Sequence, residues 1–197
     1  MILIPQYRTA RKSATPPAVV TWNPADKHAN ITLSNGNLTA THNGTLWLTV
    51  RATMSRSSGK YYFNNVVQAG NSLCGLLIGT YDITATDRYV GKSPQGWAYW
   101  GANGNKMNNN SWSALGAVCS TNDVVTTAVD FGAGEIWWAV NGTWQGSGDP
   151  ETGANPAYTG VAGDLFPAIS EFGVGRANTA IFGVHAYGPA GFSPWES

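Results

Sequence analysis

Hydrolysis on a β-scaffold needs two carboxylates held about 5–10 Å apart, so the acidic side chains are the first to test. Glu135 is followed by Ile136, Trp137 and Trp138, and no second acid pairs with it along that stretch. Asp149 and Glu151 stand close together, but in the Gly/Pro segment "GSGDPETG", where short acidic side chains serve turns and caps. His28, His42 and His185 are far apart in the chain, and His42 belongs to the turn "THNG". They compose neither a nucleophile triad nor a zinc ligand set. Asp82, Asp87 and Asp149 lie in oxygen-rich segments that suit calcium, yet no spacing motif joins them. Cys74 sits in the apolar run "LCGLLIG", where a free thiol behaves as a small hydrophobe. With Cys119 it makes no disulfide framework, and spacing alone neither joins nor separates the two. The expectation is a chain with no catalytic residue, no cofactor and no metal.

What the residues do offer is recognition. Aromatic rings pack against peptides and the apolar faces of sugars, while Asn and Asp supply paired donors and acceptors. Tyr81, Asp82 and Arg88 fall in one loop, and Trp97 and Trp100 border it. Trp137 stands beside Trp138 near the turn residue Asn141. These seven are the candidate ligand-binding residues. Strand alternation sends one of Trp97 and Trp100 inward and the other outward. It also puts Ile136, Trp138 and Val140 on one face, with Trp137 and Ala139 on the other. Trp137 is thus a potential platform, unless an adjacent loop or the tail "GPAGFSPWES" covers it.

Short strands must position these residues. "NITLSNGNLTAT" places Ile31 and Leu33 before Asn35-Gly36, and Leu38 and Ala40 after it, which signals a hairpin. "LWLTVRATM", "KYYFNNVVQ", "LCGLLIG", "GWAYWG", "DVVTTAVDF", "EIWWAVNG", "LFPAISEF" and "NTAIFG" follow, with Gly and Pro recurring between them. No segment shows the pattern of a long amphipathic helix. The spacing predicts an all-β sandwich or barrel. Three loops are long: Thr80–Gln95, Ala102–Ser113 and Gly142–Gly163. Connections beyond about 12 residues are usually functional or disordered. Their Asn, Asp, Tyr and Trp content favours a binding surface.

The 197 residues fit one domain plus an arm. Residues 1–17 read as an extended N-terminal docking arm ending in Thr-Pro-Pro, with Ile2, Leu3, Ile4, Arg8, Arg11 and Lys12 as its contact residues. Residues 18–184 form the sandwich, and 185–197 a C-terminal tail packing on it. The apolar start breaks at Pro5 and lacks a basic leader, so it does not read as a signal peptide. No stretch reaches the ~18 apolar residues of a membrane helix, and no membrane insertion is expected. Charged residues make up 11% and the net charge is zero, which argues against tracking a nucleic-acid backbone. The charge is unevenly spread. Residues 1–60 hold seven Lys/Arg against one acid, and the remainder four against ten. Such polarity favours contacts between copies or an acidic partner.

The runs "SSGKYYF", "GLLIGTYD", "GWAYWGANGNKMNN", "AVDFGAGEIWWAVNG" and "LFPAISEFG", in this order, resemble the SPRY domain over about residues 19–183. Asp130…Gly134-Glu135-Ile136-Trp137-Trp138…Asn141-Gly142 carries the resemblance most specifically. Asn64-Asn65 stand where the family usually has an acidic residue and a valine, and "AIFG" replaces Asn-Phe-Gly. The resemblance implies a bent antiparallel β-sandwich (a concanavalin-like jelly roll) and a non-catalytic module that binds through loops on one side. The insertion "GTWQGSGDPETGANPAYTGVAGDLFPAIS" resembles the bacterial and phage branch. That branch implies a virion structural protein, such as a tail fibre, baseplate or capsid decoration, made in the host cytoplasm and located in the virion. Its expected partners are other virion proteins, held by the arm, and a host-surface glycan or protein receptor. The chain would be a homo-oligomer in the particle. The alternative is a bacterial intracellular peptide-binding SPRY adaptor.

Overall fold

A computed structural model describes residues 19–67 and 72–197. The arm residues Ile2, Leu3, Ile4, Arg8, Arg11 and Lys12 lie outside them. The described residues hold fifteen strands and one short 3-10 turn. In chain order the strands are β1 (Trp22–Lys27), β2 (Ile31–Ser34), β3 (Thr39–His42), β4 (Trp47–Ala52) and β5 (Lys60–Val67). Next come β6 (Ser72–Ile78), β7 (Gly96–Trp100), β8 (Asn105–Asn108), β9 (Ser111–Ala114) and β10 (Val124–Asp130). The last are β11 (Glu135–Val140), β12 (Thr143–Trp144), β13 (Leu165–Phe172), β14 (Arg176–Ile181) and β15 (Ser193–Pro194). They build two sheets, ordered β1-β4-β13-β6-β7-β8-β9 and β12-β11-β10-β5-β14-β3-β2. All pairings are antiparallel except that of β15 with β5. The expected antiparallel sandwich is therefore the fold.

Local sequence explains the corners. Asn35-Gly36 turns β2 into β3, and Asn141-Gly142 turns β11 into β12, each with both residues at positive φ. Asn109-Asn110, at φ 51° and 56°, does the same between β8 and β9. Asn tolerates this left-handed region because its short amide bonds locally. The expected long loop at 102–113 is thus largely a hairpin rather than a loop.

Alternation sets the core between the sheets. Trp22, Phe63, Tyr99, Trp138, Phe182 and Trp195 meet there, all at 2% exposure or less. Trp22 meets Phe182 edge-on at 5.3 Å, and Trp138 lies against Tyr99 at 6.4 Å. Trp195 arrives from the C-terminal segment to fill the space between Phe63 and Phe131, its indole N–H donating to the Met54 carbonyl at 3.0 Å. A polar cluster is buried as well: the Glu171 carboxylate receives hydrogen bonds from Ser72 and from the Asn178 amide. Burial pushes the Glu171 carboxyl well above the usual carboxylate range. Cys74 and Cys119 are free, buried thiols.

A second, smaller core lies on the outer side of the first sheet. Leu73, Leu77, Ala98, Met107 and Ala168 point outward and are covered by Ile83 and Val90 of the 79–95 connection. Arg51 fastens that connection. Its guanidinium donates to both Asp26 oxygens at 2.7 and 2.9 Å, and to the Ile78 and Tyr81 carbonyls at 2.8 and 2.7 Å. Further ties are the Thr49 hydroxyl to the Arg88 carbonyl, and the Val90 N–H to Ser170 at 3.0 Å.

A candidate binding surface at the open end of the first sheet

The 79–95 connection does not cover the whole outer face. Where β4 begins and β13 ends, Trp47 and Phe172 pair across the ladder with ring centroids 5.6 Å apart. Trp47 also meets Trp100 edge-on at 5.9 Å and Tyr89 at 5.5 Å. Trp47, Trp100 and Tyr89 are half-buried, while Phe172 is exposed. Beside these rings the turns 43–46 and 172–175 come together, with the Gly175 N–H donating to the His42 carbonyl at 2.8 Å. Each turn tip carries an uncovered aliphatic side chain, Leu46 at 47% and Val174 at 67% exposure. Val174 is held out between Gly173 and Gly175, both at positive φ.

Between the turns opens a pocket of ≈ 280 Å³, lined by Asn30, Asn43, Leu46, Leu48, Thr86 and Val174 among others. Amides and hydroxyls occupy one part and aliphatic carbons the rest, and no titratable group lines it. The Asp87 N–H donates to the Trp47 carbonyl at 2.9 Å, so the third wall, around Thr86, is anchored to the sheet. Charge lies around the pocket rather than in it: Asp87 pairs with Lys92 at 2.7 Å, the Arg88 guanidinium lies 5.7 Å from the Tyr81 ring centre, and the Arg176 side chain lies against Gly173. His42 is buried behind the turn, and desolvation brings its pKa down to about 4, leaving it neutral at physiological pH. Such a surface can hold an uncharged segment by apolar anchors and amide hydrogen bonds. Among the described residues no group of three or more His, Cys, Asp or Glu could hold a metal ion. No helix among them is long and apolar enough to cross a membrane.

The sequence candidates do not form one constellation. Tyr81, Asp82, Arg88 and Trp100 lie on the outer side of the first sheet, where they differ in role. Tyr81 is half-buried on the small outer core. Asp82 is exposed and accepts hydrogen bonds from the Thr84 amide and hydroxyl at 2.9 and 2.7 Å, which hold its pKa down. Trp100 supports Trp47. Trp97 is a correction: alternation turns it into the main core, at 7% exposure. Trp137 is another. It faces outward from the second sheet, yet is 2% exposed, because Phe192 of the tail lies edge-on at 6.3 Å and its indole N–H donates to the Ala154 carbonyl at 2.9 Å. Asn141 is exposed but committed to its turn, accepting from the Val124 N–H at 2.9 Å and donating to Asp123 at 2.8 Å.

The 142–163 connection also departs from the expected outward-facing loop. It folds back along β11, puts Ala157 and Val161 into the core and lays Tyr158 edge-on against Trp138 at 6.3 Å. Lys106 of β8 ties it to the first sheet, donating to the Ala157 carbonyl at 2.6 Å. Sequence reasoning passed over Leu46, Trp47, Tyr89, Phe172 and Val174. The available signal was "EFGVGR", an aliphatic residue between two glycines at the end of a strand.

The family model of the SPRY domain matches residues 54–184. The chain belongs to the SPRY family. Its fold agrees with solved SPRY structures. The SPRY domain of human HERC1 superposes with a TM-score of 0.65 at 16% identity, covering 81% of this chain and 96% of that one. A human SPRY domain gives 0.62 at 18% identity, over 79% and 97%. The TRIM65 PSpry domain gives 0.63 at 16% identity, over 82% and 91%. No curated protein matches the chain in sequence. At these identities the likeness speaks for the SPRY fold, and the binding surface has to be argued from this chain's own residues.

Proposed function

We propose that this SPRY domain is a non-catalytic binding module that grips an extended, uncharged segment of a protein partner at the open end of its first sheet. The observation that supports this reading is the clustering of apolar surface. Seven large hydrophobic side chains are exposed among the described residues; two of them, Leu46 and Val174, line one pocket, and a third, Phe172, opens the same turn as Val174. Apolar surface gathered around a concave, amide-lined site marks a recognition surface more than scattered exposure does. We further propose that the domain works in a phage or prophage particle as a tail, baseplate or capsid-decoration component, with a neighbouring virion protein or a host receptor as partner. The phage-like insertion at 142–170 and the low surface charge support that setting.

Selection of displayed peptides against the full chain tests the module. Peptides with paired apolar anchors should be enriched, and Val174→Asp should weaken their binding at least about ten-fold, a loss of ~1.4 kcal/mol, with unchanged thermal stability. Binding indifferent to both Val174→Asp and Phe172→Ala would remove this surface from consideration. Mass spectrometry of purified particles tests the setting: a fixed, symmetry-related copy number supports it. Absence from particles, with the protein abundant in the lysate, leaves the intracellular adaptor instead.

A further inference from the structure

Residues 107–122 carry no charged side chain and no histidine. Their middle forms β9, the last strand of the first sheet, and all four β9 residues are exposed. Trp112 is 57% exposed, and Val118 just beyond the strand is 60% exposed. Sheet edges are commonly guarded by charge, proline, irregular register or a covering segment, because unpaired backbone groups invite another strand. The opposite edge of this sheet is guarded in that way: β1 contains Pro24, Asp26 and Lys27, and its register slips between Trp22 and Lys27. β9 has none of these devices.

The ladder shows which groups are on offer. Asn108 pairs with Ser111 across the Asn109-Asn110 turn, Met107 with Trp112 and Lys106 with Ser113, and the Leu115 N–H donates to the Gly104 carbonyl at 3.0 Å. In such a hairpin, hydrogen-bonded and non-bonded pairs alternate. Ser111, Ser113 and Leu115 therefore turn their backbone groups toward β8. The N–H and C=O of Trp112 and Ala114 point away from the sheet.

We propose that β9 is a pairing edge for a second copy of this chain, joined antiparallel about a two-fold axis through Ser113. In that register each outward-facing Trp112 exchanges backbone hydrogen bonds with Ala114 of the other copy. The large ring then lies opposite a methyl group, and the two Ser113 hydroxyls meet on the opposite face. The strand is thus its own complement, large against small and hydroxyl against hydroxyl. No like charges oppose each other across the join, and the zero net charge sets up no long-range repulsion between copies. The two seven-stranded sheets would become one continuous sheet.

Pairing through one short strand buries less than about 1,200 Å², the size of weak contacts, so sedimentation equilibrium of the full chain should run from about 10 µM to about 1 mM. The apparent mass should rise from 20.9 kDa toward twice that value. Trp112→Lys places like charges in the join, and Ala114→Pro removes an outward donor without touching the bonds to β8. Each should weaken association at least about ten-fold at unchanged melting temperature. Hydrogen exchange on the unmodified chain gives an independent reading: the Trp112 and Ala114 amides should gain protection with concentration, while those of Ser111 and Ser113 do not change. A chain that stays monomeric throughout overturns the proposal. So does a dimer in which the Trp112 and Ala114 amides exchange as fast as in the monomer.

Discussion

Each sheet carries large aromatic residues on the side turned away from the core, and each outer face is crossed by a long connection. On the second sheet the cover closes over the aromatic ring. Trp137 lies beneath Phe192 and against Gly148, with its N–H satisfied by Ala154. On the first sheet the 79–95 connection seals Leu73, Leu77 and Met107 and meets one side of Trp47 through Tyr89, but leaves Phe172 exposed. The difference is in anchoring. The cover of the second sheet includes β15 and Trp195, which are built into the sheet and the core. The cover of the first is fastened from beneath at separate points, by Arg51 at Ile78 and Tyr81 and by Thr49 at Arg88, and contributes no strand to the sheet. A ring at the margin of such a cover remains available to a partner.

The comparison is sharpened most by Trp137→Ala, which should cost about 3–5 kcal/mol in chemical denaturation, as for a fully buried ring. A cost near that of a surface change would mean that the second face is as open as the first. An intermediate effect is expected from pH, because His42 and Glu171 both lie beneath the open end. His42 has a folded pKa of about 4 against an ordinary value of 6.5. Its contribution is therefore complete above that ordinary value and is lost as pH falls through 6.5 toward 4. Glu171 has the opposite sign. Its folded pKa is raised, so stability falls as pH rises above the ordinary carboxylate value, and acidification restores it. The two partly cancel in the natural chain. Glu171→Gln removes one side of the balance, so that variant should lose roughly 2 kcal/mol between pH 7 and pH 5, clearly more than the natural chain. Parallel pH profiles would show that Glu171 does not titrate as a buried acid. The smallest effect is expected from Phe172→Ala, at or below about 1 kcal/mol in the same denaturation measurement, since the ring is already partly in water. A loss as large as that for Trp137 would close the first face and take the binding surface with it.

The fold was legible because its signals are local. Alternation in "EIWWAV", Asn-Gly at the hairpin turns and the run from Asp130 to Gly142 need no knowledge of distant residues. The site was less so, because exposure depends on what arrives from elsewhere. Trp137 is covered by residues from Ala154 and Phe192, far along the chain. Trp97 and Trp100 differ in fate only by the phase of β7, and three-residue spacing puts them on opposite faces without saying which is inner. Leu46 and Val174 are exposed only because the turns that hold them are placed at the surface, which depends on the whole fold. The Asn-rich segment after Gly101 read as a long binding loop because two asparagines at positive φ can make a tight turn as well as a loop.

The placement of Trp195 also bears on how the chain is born. Its ring fills the centre of the sandwich among Tyr61, Phe63 and Phe131, and the neighbouring β15 aligns Ser193 with Tyr61. Strands from the first half of the chain emerge from the ribosome long before the residue that closes their core. Until Trp195 is released, β5 lacks its parallel neighbour and the nascent sandwich holds a hole the size of an indole. Contacts of such long sequence separation form late and slowly. Completion of the fold therefore waits until Trp195 has emerged, and a chain cut before that residue should be held by chaperones or degraded.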